Sequence, residues 1–361
     1  MPTTTGMKGD GYYDAHSDVQ RSATDAFLPW IEDSISELPI PSDRQTSFGI
    51  LDIGSSEGGN AIYVMNRLIN KLRCVSDLPI WAFFNDLPTN DFNHLFVNLF
   101  PGETKSFSDP NIFPCAIGGT AFGRLVPPQT LTIATTFNAI SFLDKKPDAR
   151  LPNYILPMGP GPLATREGVS VSENEKAPFR LQAESDLYNF YSARAEELVS
   201  GGKLLVQTFG RDECFSTSDG IYDVLSDVVL DCAEEGMLPR EVYEELIFPI
   251  YFRTVMELVA PIEKDERPAE SFRVDKAESR EVAVPFNVTL AETGDKTTWA
   301  KSYTGFLRAF TEAILAAALP DDISRAEMLN RIYQRVEQRL ASDPARYEFH
   351  YISIAALLTR I

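Results

Sequence analysis

The stretch Phe48-Gly49-Ile50-Leu51-Asp52-Ile53-Gly54-Ser55-Ser56-Glu57-Gly58-Gly59-Asn60 runs from apolar residues through a glycine-rich turn into a helical pattern. Ile50, Leu51 and Ile53 read as a short buried strand with Asp52 near its C-terminal end. Beyond Asn60, the residues Ala61, Ile62, Met65, Leu68, Ile69 and Leu72 recur at spacings of three and four, which predicts a helix. A strand, a tight turn and a helix N-terminus bring backbone N–H groups together where a ligand can meet them.

Two kinds of ligand use such a turn. A dinucleotide needs G-x-G-x-x-G so that its pyrophosphate reaches the helix N-terminus. The spacing here is Gly54-x-x-x-Gly58-Gly59, and Glu57 would set a carboxylate where a phosphate belongs. Acids beside the turn suit a cationic ligand better. S-adenosylmethionine carries a sulfonium and an ammonium, and Asp52 is placed to face them. A purely structural turn, in which the glycines only let the strand bend into the helix, stays open on these residues alone. The next strand, Ile80-Trp81-Ala82-Phe83-Phe84-Asn85-Asp86, ends in an acid of the kind that binds ribose hydroxyls in doubly wound folds. A simple Asn-Asp turn before Pro88 is the alternative.

Working outward, Ser17 and Gln20 stand in the spacing of a capping box before a helix that runs to about Leu38. Strands are expected at 112–117, 131–136 and 203–209, with helices between them, which implies a mostly parallel sheet with ligands at its strand C-termini. The fold class is therefore α/β, a Rossmann-like sheet. The expected organisation is 1–150 for the N-terminal loop and first part of that domain, and 151–185 for a Pro/Gly-rich excursion or lid. The last part of the central sheet falls at 186–210, and a mainly helical cap at 211–320 with a strand near 271–278. A C-terminal helix and closing strand occupy 321–361.

Composition narrows the function. With 33 basic and 52 acidic residues the formal net charge is −19, which argues against nucleic acid and against an anionic membrane surface. No apolar run approaches the roughly 18 residues of a membrane helix. Cys74, Cys115, Cys214 and Cys232 show no paired spacing and read as reduced thiols, neither a disulfide frame nor a metal site. Met1 to Gly6 has no apolar core, so no secretory leader is expected and the location is read as cytoplasmic.

Five stretches, in order along nearly the whole chain, resemble motifs of the SABATH family of S-adenosylmethionine-dependent methyltransferases. Ser17-x-x-Gln20 is similar to S-x-x-Q, and Asp52 to Asn60 to D-L-G-C-S-S-G-P-N. Asn85-Asp86-Leu87-Pro88-Thr89-Asn90-Asp91-Phe92-Asn93 resembles N-D-L-P-G-N-D-F-N, Gly119 to Arg124 resembles G-S-F-Y-G-R, and Arg194 to Lys203 resembles R-A-E-E-L-V-P-G-G-R. The resemblance implies a helical cap over the substrate, a homodimer, and carboxyl methylation of a small organic acid with S-adenosyl-L-methionine as cofactor. It implies that Ser17, Asp52, Gly54 and Asn60 hold the methionine end of the cofactor. Asp86 takes the ribose hydroxyls with Leu87 beside it, Thr120 and Ala121 lie along the adenine, and Phe137 borders the cofactor. Tyr13 borders cofactor and substrate, and Gln20 bonds the substrate carboxylate.

One stretch departs from the pattern. Where the family has S-S-Y-S-L-H/M-W, this chain has Thr136-Phe137-Asn138-Ala139-Ile140-Ser141-Phe142. Phe142 replaces a Trp whose indole N–H helps hold the carboxylate, and phenylalanine has no donor. Ser141 and Asn138 are the residues expected to compensate, as substrate-binding and catalytic donors, which would favour a small polar or dicarboxylic acid. A carboxylic acid is already ionised at pH 7, so no general base is needed for its oxygen to displace the sulfonium in line. The competing readings are N- or O-methylation of a heteroaromatic or phenolic molecule, a non-catalytic cofactor-binding protein, and a nicotinamide oxidoreductase.

Overall fold

A computed structural model describes residues 7–9, 11–40, 46–101, 106–164, 166–320 and 324–361, without the side chains of 13, 14 and 266. The quoted stretch sits at the centre of a seven-stranded sheet. Strand β1 (Phe48–Ile53) pairs in parallel with β2 (Ile80–Asp86) on one side and with β4 (Leu131–Phe137) on the other. β3 (Ile112–Gly118) extends the sheet beyond β2, and β5 (Leu198–Phe209) extends it beyond β4. The last two strands, β6 (Phe272–Val282) and β7 (Tyr351–Arg360), complete the order β3-β2-β1-β4-β5-β7-β6, with β7 antiparallel to both of its neighbours. Chain order reverses between β1 and β4, so a crevice opens at the C-terminal ends of those strands.

Helices cover both faces because each carries one apolar stripe. The helix Gly59–Arg73 buries Ala61, Val64, Met65, Leu68, Ile69 and Leu72 against β1 and β2. Each large aliphatic side chain so buried contributes roughly 1.5–3 kcal/mol. Asp18–Ser34 and Phe92–Leu99 share that face. Glu173–Glu197 and Val255–Lys264 cover the other face. A third cluster, rich in aromatic residues, joins Ile221–Glu234, Lys296–Ala318 and Arg325–Ser342 into the helical cap. The C-terminal helix therefore packs with the cap, and only β7 returns to the sheet.

The excursion differs from the expectation. Leu151, Tyr154, Ile155 and Leu156 are buried in core clusters, so its first part packs into the protein, while the described residues of 162–178 are exposed or half-exposed. The following helix begins at Glu173, where Ser172 and Glu175 form a reciprocal capping box, and Pro178 is accommodated within it. The four cysteines are unpaired. Among the described residues, no helix is long and apolar enough to cross a membrane.

Candidate active site

The turn after β1 is built by glycines that no other residue replaces cheaply. Gly54 has φ +87°, and a Cβ there would collide with the Ala139 side chain. Gly58 has φ +102°, and a Cβ would lie 2.6 Å from Leu95 Cδ1. Asn85 locks this turn to the neighbouring loop. Its carbonyl accepts from the N–H groups of Gly54 and Ser55, both at 2.8 Å. Its amide donates to the carbonyls of Ile117 and Gly119, both at 3.0 Å. The Asn-Asp pair is thus a junction of three strand ends, more than a turn before Pro88.

Two connected hollows lie over these strand ends. The larger, with about 830 Å³ of empty space, is lined by Asp86, Leu87, Thr120, Ala121, Phe137 and Phe142, among others. The smaller, with about 390 Å³, is lined by Asp52, Gly54, Ser55, Asn60 and Ala61. Gln20, Ser56 and Asn138 border both, so Gln20 stands at the junction of the two lobes.

Asp52 is buried, and its Oδ1 accepts from Thr135 Oγ1 at 2.7 Å. Burial pushes its carboxyl up to about 7; the Thr135 hydroxyl opposes the shift and the charge of Asp86 adds to it. Asp86 accepts from the N–H groups of Ser56 and Leu87, each at 2.7 Å. It too is raised by burial, against the pull of those two amides. By surface area Asp86 is only half-buried, and it lines the larger lobe. Asn60 Oδ1 accepts from Arg21 Nε at 3.0 Å, and the Arg21 guanidinium lies over the Tyr63 ring. Thr120 Oγ1 donates to Asp144 Oδ1 at 2.6 Å.

Several expectations are corrected. Ser141 is fully buried and lines neither lobe; its hydroxyl shares a short hydrogen bond with Thr208 and accepts from Phe209 N at 3.2 Å. Asn138 borders the cavity with its backbone at φ +63°, but its amide is engaged in the core. Its Nδ2 donates to Tyr351 Oη at 2.9 Å and its Oδ1 accepts from Gln207 Nε2 at 3.2 Å. Neither is placed as a substrate donor, and the compensation for Phe142 does not come from them. Ser17 is buried at the N-terminus of its helix, makes no capping bond and lines neither lobe. The capping box with Gln20 is therefore absent, and Gln20 Oε1 is buried with no partner among the described residues. Glu57 faces away from both lobes, where its Oε1 accepts from Gly11 N at 2.6 Å. There its ligand atoms lie within 4.8 Å of those of Asp91 and His94, a group able to hold a cation outside the cavity. The Tyr13 side chain lies outside the described residues.

Met7, Asn85, Phe122, Asp144, Phe209 and Phe310 also line the larger lobe and were not anticipated. Asn85 and Phe209 had a signal, since each stands at the end of a strand that points to the crevice. Phe310 comes from a cap helix and had none.

The donor set fits a ligand with a cationic end and a hydroxyl-bearing end. Asp52, Asp86 and Asp144 border the cavity, Asp144 with its Oδ1 engaged by the Thr120 hydroxyl, and neither Thr135 nor Asp86, the groups that act on Asp52, is cationic. Ser55 Oγ, Ser56 Oγ and Gln20 Oε1 are buried polar atoms with no partner among the described residues. A doubly wound sheet with an antiparallel final strand and this pair of acids at its switch point defines an S-adenosylmethionine-dependent methyltransferase. Comparison with known proteins carries the assignment further. The family described as SAM dependent carboxyl methyltransferase matches residues 2–361, and the chain belongs to that family, the SABATH enzymes. It is 27% identical over 357 residues to gibberellic acid methyltransferase 2 of Arabidopsis thaliana, covering 94% of this chain and 88% of that one. It is 26% identical over 289 residues to a probable jasmonic acid carboxyl methyltransferase 1 of Theobroma cacao, covering 76% and 75%. A solved structure, loganic acid methyltransferase with SAH, has the same fold, with a TM-score of 0.77 at 19% identity over 99% of this chain and 98% of that one. The cofactor is S-adenosyl-L-methionine.

Proposed function

We propose that the protein converts a small carboxylic acid with an apolar body into its methyl ester. The observation that carries this reading is the make-up of the cavity. Acids border its inner end, Gln20 stands at its junction, and Met7, Phe137, Phe142, Phe209 and Phe310 wall the larger lobe. The preference for a polar or dicarboxylic acid rested on Ser141 and Asn138, and with both side chains turned into the protein the wall favours an apolar body. The relatives named for jasmonic and gibberellic acid support a carboxylate as the group that is methylated.

S-adenosylmethionine, when bound, supplies an electrophilic methyl group on a sulfonium. Asp52 and Asn60 would hold its methionine end and Asp86 its ribose hydroxyls. Gln20, at the junction of the lobes, would donate its amide N–H to the substrate carboxylate. No histidine lines the cavity: His16 Nδ1 bonds Tyr12 O at 2.8 Å and His350 pairs with Glu281 at 2.7 Å, while His94 lies beside Gly11. That arrangement suits an acceptor that needs no base, because the acid is ionised at neutral pH. The protein's own contribution is orientation and removal of water, worth up to about 7–11 kcal/mol in effective-molarity terms.

Steady-state kinetics on a panel of aliphatic, aromatic and dicarboxylic acids tests the proposal. Monocarboxylic acids with apolar bodies are expected to have the highest kcat/KM, and a clear preference for dicarboxylic acids would refute it. A second reading, methylation of a phenol or ring nitrogen, is favoured by one observation, the absence of a donor at Phe142. A homodimer is proposed on the family resemblance and a cytoplasmic location on cysteines that read as reduced thiols, and sedimentation velocity tests the former.

A further inference from the structure

The motif Arg194 to Lys203 has no part in the cavity, yet Arg194 and Glu197 are both fully buried. Arg194 Nε and Glu197 Oε2 lie 2.7 Å apart as an ion pair. The directed bonds of the pair go to a single loop. Arg194 Nη1 donates to Ala121 O at 3.1 Å and Nη2 to Gly123 O at 2.7 Å. Glu197 Oε1 accepts from Leu125 N and, at 3.2 Å, from Val126 N. Gly119, Thr120, Ala121 and Phe122 of this loop line the cavity beside Asp86. The same helix reaches the loop a second time, because Asp186 Oδ2 accepts from Asp144 N at 2.9 Å and Asp144 in turn holds the Thr120 hydroxyl.

Stability alone is a weak account of a buried ion pair, since desolvation offsets much of the attraction. What the planar guanidinium adds is two directed bonds in a fixed fork, which lysine does not reproduce. Phe122, Leu125 and Val126 pack the loop on the core beside the sheet, but Gly119, Ala121 and Gly123 leave its backbone with few side-chain constraints where it meets the cavity. Ala121, which lines the cavity, also stands where the family motif has phenylalanine, so its side chain fills less of the space there. Fixing that backbone in the free protein removes an ordering cost from the binding step.

We infer that Arg194 and Glu197 are positioning residues that hold the 119–126 loop in the geometry that receives the adenine end of the cofactor. The inference rests on the placement of adenosine beside Asp86 and Thr120 given above. It is tested with Arg194→Lys and Glu197→Gln, by calorimetry with S-adenosylhomocysteine and with adenosine, and by kinetics at saturating acid. Each variant is expected to bind both ligands about tenfold more weakly, a change of about 1.4 kcal/mol. The KM for S-adenosylmethionine should rise while kcat at saturation stays within about twofold, the mark of lost binding that is common to ground and transition states. A lower melting temperature with unchanged affinity for both ligands overturns the inference. Should the variants fail to fold, hydrogen exchange on the wild type decides. The Leu125 and Val126 amides of the ligand-free protein should exchange as slowly as those of β5, and fast exchange that slows only with ligand overturns the inference. A wild type that binds neither ligand overturns the adenosine placement, and the inference with it.

Discussion

The raised carboxyl of Asp52 makes cofactor affinity depend on pH in a direction and by an amount that follow from the site. With its carboxyl at about 7 in the free protein, the ionised fraction is about one-eleventh at pH 6 and about ten-elevenths at pH 8. If only the ionised form accepts the ammonium end of S-adenosylhomocysteine, affinity rises about tenfold over that interval, or about 1.4 kcal/mol. Calorimetry in buffers of different ionisation enthalpy measures both the slope and the proton released, which should approach one at pH 6. Asp52→Asn should flatten the profile to whatever Asp86, also raised, contributes. The free protein should show the opposite trend. A carboxyl raised in the folded state contributes stability that is full below its unfolded value near 3.9 and is lost as pH rises through about 7. The melting temperature of wild type should therefore fall relative to Asp52→Asn between pH 5 and 8. A wild-type affinity that does not change with pH, or a variant that keeps the full slope, refutes the reasoning.

Asp86→Ala should weaken S-adenosylhomocysteine binding by about 2–3 kcal/mol, the scale of charge-assisted hydrogen bonds to the ribose, and equal affinities by calorimetry would remove Asp86 from the site. Gln20→Ala should lower kcat while leaving that affinity within about twofold, since the amide acts on the substrate and no capping bond is lost. Normal turnover in this variant would return Gln20 to a structural role. Ser141→Ala loses its bonds to Thr208 and Phe209, so a stability loss of about 1–3 kcal/mol by denaturant titration is expected, with kcat/KM of the folded enzyme unchanged. A large fall in kcat/KM without a stability loss would restore Ser141 to the substrate site.

The parts of the fold legible in the sequence were those with local signals. β1, its glycine turn and the helix Gly59–Arg73 follow from apolar spacing and from φ values that only glycine adopts easily. Asp52 and Asp86 near strand ends, Thr120 in the loop after β3 and Gln20 in the helix Asp18–Ser34 were candidates from motifs, and all four line the cavity. What stayed hidden depends on contacts far apart in the chain. The Asn138 side chain is claimed by Gln207 and by Tyr351, 69 and 213 residues away, and no local pattern announces those partners. Ser141 follows Asn138 in a single short turn, and that turn directs its hydroxyl to β5, away from the cavity. The excursion looked like surface because proline, glycine and charge dominate it, whereas its few apolar residues, Leu151 and Tyr154 to Leu156, reach two separate core clusters. Phe310 in the wall of the larger lobe escaped for the same reason, since it meets Phe209 only when the cap folds over the sheet, their rings 6.3 Å apart.

The account's central claim is that the methyl group ends on a carboxylate oxygen. Incubation of the protein with methyl-labelled S-adenosylmethionine and a panel of carboxylic acids, phenols and ring-nitrogen compounds, followed by mild alkali, tests it most directly. The account predicts label in an organic-soluble product formed only with the acids and released as methanol by alkali, because esters hydrolyse there. Label that survives alkali on a phenol or a ring nitrogen, with none transferred to any acid, would contradict it.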